Sequence, residues 1–247
     1  MKSLIDISII IPAKDEGENI LPLADEITRA MDREEIAYEV IWVDDGSTDN
    51  TLALIKQLND QDPGNRYISF AENAGQSAAL MAGFHESRGK YIATLDADRQ
   101  NDPADIPMLF KHIESGQVDM VNGFRQKRKD SFVRRMASKI ANGARNLFTG
   151  KSVRDVGCST RLFKREIFYV FPHFKGMHRF IPTFAQMRGF RISEVPVNHR
   201  PRTRGETKYS INNRLWVGIY DLFGVRWVRQ RSFLYRISQS SPNQTRE

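Results

Sequence analysis

Cysteine is almost missing from this chain. Cys158 is the only one in 247 residues, so no disulfide can form within the chain and stability must come from a packed core. A lone cysteine accords with a reducing compartment, and burial is the expected state for Cys158. Long apolar runs are missing too. No stretch of about 18 apolar residues occurs, so no segment is expected to span a bilayer. The run Ile7–Ile11 is too short for a secretory signal and leads straight into Pro12 and charged residues. Repeats and clear linkers are also absent, and the length suits one large α/β domain or a domain of ordinary size with an appendage. Histidine is sparse. His85, His112, His173, His178 and His199 form no ligand spacing and are expected on the surface or in packing.

Positive charge, by contrast, is plentiful. The net charge is +7, with the basic excess in Arg125–Arg135 and Arg200–Arg236. Nucleic acid, anionic lipid or a phosphate-bearing substrate would each account for it.

The first half alternates between two patterns. Apolar, β-rich runs occur at Ile5–Ile11, Tyr38–Val43, Tyr67–Phe70 and Tyr91–Leu95. Helical stretches lie between them, at Glu18–Met31, Thr51–Asn59 and Gln76–Ser87. This order implies a mostly parallel sheet flanked by helices. Runs apolar on both faces fit a sheet covered on both sides. Ligands of such sheets bind beyond the carboxyl ends of the strands. The residues there are Pro12–Glu16, Asp44–Ser47, Glu72–Asn73 and Asp96–Asp98. Further strands are expected at Val118–Val121, Cys158–Phe163 and Ile192–Val197, the last with Pro196 at an edge or an end. Phe132–Phe148 reads as a basic amphipathic helix. Lys164–Gly189 reads as two short helices divided by Pro172.

Asp96 and Asp98, one residue apart after an apolar strand, can converge on one hard divalent cation, with Gln100 adding an amide oxygen. A diphosphate leaving group needs that neutralisation. Alone the pair is a weak signal, and Asp102-Pro103 is a good N-cap and first helical position in its own right. Asp44 and Asp45 repel each other unless something donates to them, which favours a ligand role. Ser47 to Asp49 reads as a turn and cap. Acidic clusters at three successive strand ends make the combined case.

These motifs resemble family 2 glycosyltransferases of the GT-A fold. The matching pieces are Pro12 to Asn19, Val43 to Thr51, Asn73 to Gln76 and Asp96-Ala97-Asp98. Leu95 to Pro103, Asn122 to Arg125 and Arg202 to Tyr209 resemble the polyprenyl-phosphate sugar synthases. That branch includes dolichol-phosphate mannose synthase and the undecaprenyl-phosphate glycosyltransferases. The resemblance runs over about residues 5 to 230. It implies a GT-A catalytic domain over 1–209; the residues beyond read as a C-terminal amphipathic interface helix over 210–237, with a helix packed on the catalytic domain as the alternative, and a disordered polar tail over 238–247. Pro12, Lys14, Glu16, Val43, Asp44 and Asp45 would hold the nucleoside, with Asp96 and Ala97 beside the ribose. Asp96, Asp98 and Gln100 would hold Mg²⁺ or Mn²⁺. Asp98, Arg125, Arg202 and Lys208 would form the catalytic group on the phosphates, and Arg134 and Ser138 would meet the acceptor phosphate. Relatives often carry tyrosine where Lys14 stands, so a ring able to stack on the base is missing here.

The implied reaction is inverting transfer of a hexose or modified sugar from a nucleotide-diphosphate sugar, GDP-mannose or a UDP-sugar, to a polyprenyl phosphate. The phosphate acceptor is already an anion, which explains the lack of an obvious general base. Transfer to a saccharide hydroxyl is the alternative. It needs a base, for which Asp155 and Asp221 are the candidates. Nucleic-acid binding would use the charge, but no reader motif is present, so no nucleic-acid partner is expected. Aromatics and arginines alternate over Ile211–Ile237, which suits peripheral contact with the cytoplasmic face of the inner membrane. A small membrane-protein partner or a homo-oligomer would suit it too. Phe168–Phe184 is either a second membrane-facing element or core.

Overall fold

A computed structural model describes residues 5–125, 153–201 and 211–232, with the side chains of the last segment described from Tyr220 onward. Four strands open the fold: β1 (Ile7–Ala13), β2 (Tyr38–Asp44), β3 (Asn65–Ser69) and β4 (Tyr91–Thr94). They alternate with α1 (Gly17–Asp32), α2 (Thr51–Gln61) and α3 (Gln76–Glu86). A 3-10 turn at Pro103–Asp105 leads into α4 (Ile106–Glu114). Then come β5 (Met120–Arg125), β6 (Arg161–Lys164), α5 (Ile181–Met187), β7 (Ile192–Val197) and α6 (Ile211–Arg231).

The seven strands form one sheet in the order β3-β2-β1-β4-β6-β5-β7. Only β6 runs antiparallel to its neighbours, β4 and β5. Two consequences follow for a site. The chain moves one way from β1 to β3 and the other way to β4, so a crevice opens between the carboxyl ends of β1 and β4. Because β6 is reversed, its first residue, Arg161, lies on that same edge, opposite Thr94 and Asn122.

The doubly apolar runs divide as the alternation of a strand requires. Ile7, Ile9, Ile11, Val40 and Trp42 face α1, α2 and α4. Ile10, Ile41 and Val43 face α3 and the segments around α5. Phe168, Phe171, Phe180 and Phe184 join this second layer, so Phe168–Phe184 is core. The expected pair of helices over Lys164–Gly189 is shorter and tighter, with 3-10 turns at Arg165–Val170 and Met177–Phe180 before α5. β1 starts two residues later and reaches two further than the apolar run suggested, since Pro12 and Ala13 pair with Val43 and Asp44. Pro196 lies on β7, at the sheet edge, where its missing N–H costs no ladder bond.

The described turns of α6 pack on the domain through one face and leave another open. Leu222, Val225 and Val228 pack on the second core layer. Tyr220, Phe223 and Trp227 point the other way and are 76%, 57% and 64% exposed. The helix therefore has two opposed apolar faces in its described turns, one already covered by the domain. No described helix is long and apolar enough to cross a membrane.

Candidate functional site

The loops after β1 and β2 are zipped together. Asp15 N–H donates to Ser47 Oγ at 2.9 Å, and Thr48 N–H donates to Asp15 Oδ1 at 2.7 Å. Glu16 N–H donates to Thr51 Oγ1 at 2.8 Å. Lys14 Nζ donates to the Gly46 carbonyl. Asp49 accepts from Thr51 N–H and Gly17 N–H, so the turn-and-cap reading of Ser47 to Asp49 holds. Gly46 adopts φ +67°, and a Cβ there would lie 2.7 Å from the Glu72 carbonyl carbon. Only glycine meets both demands.

The repulsion between Asp44 and Asp45 is relieved from within. Asp44 accepts from Ser47 N–H at 3.1 Å and from Ser69 Oγ at 2.9 Å. Asp45 accepts from Ala74 N–H at 2.7 Å, Gly75 N–H at 3.0 Å and Asn73 Nδ2 at 3.0 Å. Both are buried. The donors that the sequence assigned to a ligand are thus largely the chain's own. Neither carboxylate needs a nucleoside to be stable.

The β4 end differs. Asp96 accepts from Gln76 Nε2 at 2.9 Å and Ser159 Oγ at 2.6 Å. Burial, and then the neighbouring charge of Asp98, push its carboxyl pKa up, against the pull of Ser159, Arg161 and Arg125. Asp98 Oδ1 accepts from Gln100 N–H at 3.0 Å. Arg99 takes the left-handed conformation at φ +59° and is held by Glu26 at 2.5 Å, which turns the chain so that 96 and 98 share one loop. Gln100 Nε2 reaches the Arg200 carbonyl at 3.5 Å, and Arg200 N–H donates to the Gln100 carbonyl at 2.8 Å. Asn101 and His199 form a bridge beside them. The loop that carries Asp98 is thereby laid against the segment entering 202–210.

Arg125, at the end of β5, forks onto Asp155 at 2.7 and 2.8 Å. That pairing occupies the carboxylate proposed as a base for hydroxyl acceptors. The other candidate, Asp221, lies 3.8 Å from Arg179, with one buried oxygen that has no hydrogen-bond partner among the described residues. Burial pushes its carboxyl pKa up. Arg134, Ser138, Arg202, Arg204 and Lys208 lie outside the described residues. Pro12, Val43 and Ala97 line the same strand ends as Lys14 and Glu16, with Val43 and Ala97 buried.

A cavity of about 650 Å³ opens on the α3 side of Asp96. Its wall includes Gln76, Ser77, Ser159, Arg161, Lys175 and His178, none of which the sequence motifs singled out as a site residue. Arg161 is 4% exposed and donates to Asn122 Oδ1, the His178 carbonyl and the Val156 carbonyl. His178 Nδ1 is 2.8 Å from Ser77 Oγ, and burial pushes its pKa down to about 3, so it is neutral. Its place on the cavity wall is a packed one, within the expectation of surface or packing for the histidines. Cys158 is buried as expected, and burial pushes its thiol pKa up. An arginine opening a four-residue strand, just before Leu162 and Phe163, was the one sequence signal that could have flagged this wall.

Comparisons with known proteins agree with this geometry. The model of "Glycosyl transferase family 2" matches residues 8–171. An undecaprenyl-phosphate 4-deoxy-4-formamido-L-arabinose transferase of Yersinia pestis is 41% identical over 217 residues, covering 87% of this chain and 66% of that protein. A dodecaprenyl-phosphate galacturonate synthase of Rhizobium johnstonii is 36% identical over 225 residues, covering 90% of this chain and 66% of that protein. The chain thus spans about two thirds of the length of these relatives. Among solved structures, glucosyl-3-phosphoglycerate synthase of Mycobacterium tuberculosis with Mn²⁺, UDP and its product superposes with a TM-score of 0.67 at 21% identity. It covers 92% of this chain and 81% of that one, which establishes the GT-A fold. On sequence and fold together, this chain belongs to glycosyl transferase family 2.

Proposed function

We propose that this protein transfers a glycosyl unit, with inversion, from a nucleotide-diphosphate sugar to a polyprenyl phosphate at the cytoplasmic face of the inner membrane. The observation that carries the reading is the Arg125–Asp155 fork, which removes the best-placed base beside the acidic strand ends. A hydroxyl acceptor needs a base to take its proton, whereas a lipid phosphate is already an anion. Relatives named for transfer to undecaprenyl and dodecaprenyl phosphates support the same acceptor.

The donor site fits a hard cation. Asp96, Asp98 and the Gln100 amide offer oxygen ligands only, and the described residues contain no group of three acids, histidines or cysteines able to cage a metal alone. That set suits Mg²⁺ or Mn²⁺ completed by substrate phosphates and water. When bound, the cation would neutralise charge on the departing nucleoside diphosphate. The β1 and β2 loops, with Pro12, Lys14, Glu16, Val43, Asp44 and Asp45, shape the nucleoside side of the crevice. Arg125, with Arg202 and Lys208, serves the phosphates, and Arg134 with Ser138 serves the acceptor. Their work is to bring two anionic substrates into line against their mutual repulsion.

The exposed stripe Tyr220, Phe223 and Trp227, with Arg226 and Arg231 nearby, suits contact with an anionic membrane surface. A small membrane protein or a second copy would cover the same stripe. The test of function is transfer of radiolabel from GDP-, UDP- and dTDP-sugars to polyprenyl phosphate with Mn²⁺ or Mg²⁺. Transfer to a saccharide hydroxyl instead, or none from any donor to a folded protein, would sink the proposal. Flotation with anionic vesicles tests the surface: Trp227→Ser together with Phe223→Ser should lower binding about tenfold.

A further inference from the structure

Between Asp98 and Gln100 stands Arg99, whose backbone lies in the left-handed region at φ +59°. That conformation crowds an arginine Cβ against the following carbonyl. A residue other than glycine stays there only when its surroundings over-determine it. The holding group is Glu26, on α1. Its Oε1 accepts from Arg99 Nε at 3.2 Å and from Arg99 Nη2 at 2.5 Å. Its Oε2 accepts from Arg200 Nη1 at 2.7 Å. Arg200 Nη2 in turn meets Asp102 Oδ1 at 2.7 Å. Two anions and two cations thus balance one another across α1, the loop after β4 and the segment after β7, all partly withdrawn from water.

The backbone repeats the join. Arg200 N–H donates to the Gln100 carbonyl at 2.8 Å, and Asn101 bridges to His199. Glu26 therefore stands behind two things at once: the loop that offers Asp98 and Gln100, and the segment that reaches Arg202 two residues after Arg200. An isolated ion pair at the surface would do little for either. A carboxylate shared by two guanidiniums does more, because its removal leaves two neighbouring, partly buried cations to repel each other. Groups behind a metal's ligands orient those ligands and so set the affinity for the metal. We propose that Glu26 is a positioning residue: by bridging Arg99 and Arg200 it holds Asp98 and Gln100 in the conformation that receives the divalent cation, and fixes their loop to the segment after β7. This role rests on the cation site given under Proposed function, and Glu26 itself touches neither cation nor substrate in it.

The test is Mn²⁺ binding, followed by electron paramagnetic resonance with UDP, GDP and dTDP in turn, beside the rate of transfer. Glu26→Gln keeps the shape of the side chain and loses its charge. It should raise the Kd for Mn²⁺ at least about tenfold, and raise the Mn²⁺ needed for half-maximal transfer by the same factor, with kcat at saturating Mn²⁺ within about threefold of the parent. Arg99→Asn cuts the same tie from the other side, and asparagine tolerates the left-handed conformation, so it should weaken Mn²⁺ binding in the same way. The double variant should bind no worse than Glu26→Gln alone, since the second change removes a link already broken. Glu34→Gln is the control: it takes an equal charge from the pair with Lys111, just past α1, and should leave the Kd unchanged. An unchanged Kd in folded Glu26→Gln overturns the proposal and leaves the cation site standing. Equal weakening in Glu34→Gln, or losses that multiply in the double variant, overturn it too. If circular dichroism shows Glu26→Gln unfolded, Arg99→Asn decides: binding about tenfold weaker supports the role, and unchanged binding ends it. A parent protein that binds no Mn²⁺ with any of the three nucleotides overturns the cation site, and this role with it.

Discussion

The carboxyl ends of β2 and β4 each carry two aspartates, yet the chain treats them differently. At β2, Asp44 and Asp45 are buried and surrounded by donors from the chain: Ser47, Ser69, Asn73, Ala74 and Gly75. At β4, Asp96 is held by two neutral side chains from different elements, and the contacts of Asp98 include a backbone N–H from its own loop. The first pair is built into the fold, while the second is presented by it. The same division runs through the whole chain. Residues 1–109 contain 21 acids and 9 bases, and residues 110–247 contain 9 acids and 28 bases. The acidic half builds the strand ends, and the basic half supplies cations across the crevice.

Four substitutions test this contrast. Asp98→Ala should lower transfer by a factor of a thousand or more, about 4 kcal/mol in the barrier, while the melting temperature moves by less than about 3 °C. A cooperative loss of fold would place Asp98 with the β2 pair. Asp45→Ala should act the other way. It leaves the Ala74 and Gly75 N–H groups unpaired, and urea unfolding should show a loss of about 2–4 kcal/mol. Unchanged stability with weakened donor binding would make Asp45 a presented ligand after all. Asp155→Asn keeps a hydrogen bond to Arg125 and should cost about tenfold in kcat, with the pH profile unmoved. A thousandfold fall would restore Asp155 as a general base. The smallest effect belongs to Asp105, which accepts from Asn198 N–H at 2.7 Å, and whose pKa burial pushes up to about 6. Its folded pKa lies above the unfolded one, so stability falls as pH rises from about 4 to 6. Asp105→Asn should remove that slope and leave the protein about 1 kcal/mol more stable at pH 7, once solvent screening is allowed for. An unaltered slope in pH-dependent melting would exclude Asp105 as its source.

Much of this architecture was legible before any coordinates. The alternation from Ile7 to Thr94 is local: β-branched runs, turn residues and helical spacing each specify their own element within a few residues. Asp96 and Asp98 were legible because one strand end carries both. That β7 would lie at an edge, or Pro196 at its end, was legible because proline cannot donate to an inner ladder. The donors to Asp45 were not, since Asn73 to Gly75 lie about 30 residues away and reach it only when β3 pairs with β2. The Arg125–Asp155 fork joins residues 30 apart in the chain. The two faces of α6 were invisible for a related reason: a helix records its apolar residues in sequence, but not which of them the rest of the domain covers. What the sequence by itself determined was the class of fold and the acidic strand ends. Only the tertiary structure decided which donors of the chain each acid meets. It also reversed β6, and so put the buried charge of Arg161 on the cavity wall. The physical reason is the same throughout: a carboxylate or a guanidinium takes its role from the partners around it, and those partners arrive from distant parts of the chain.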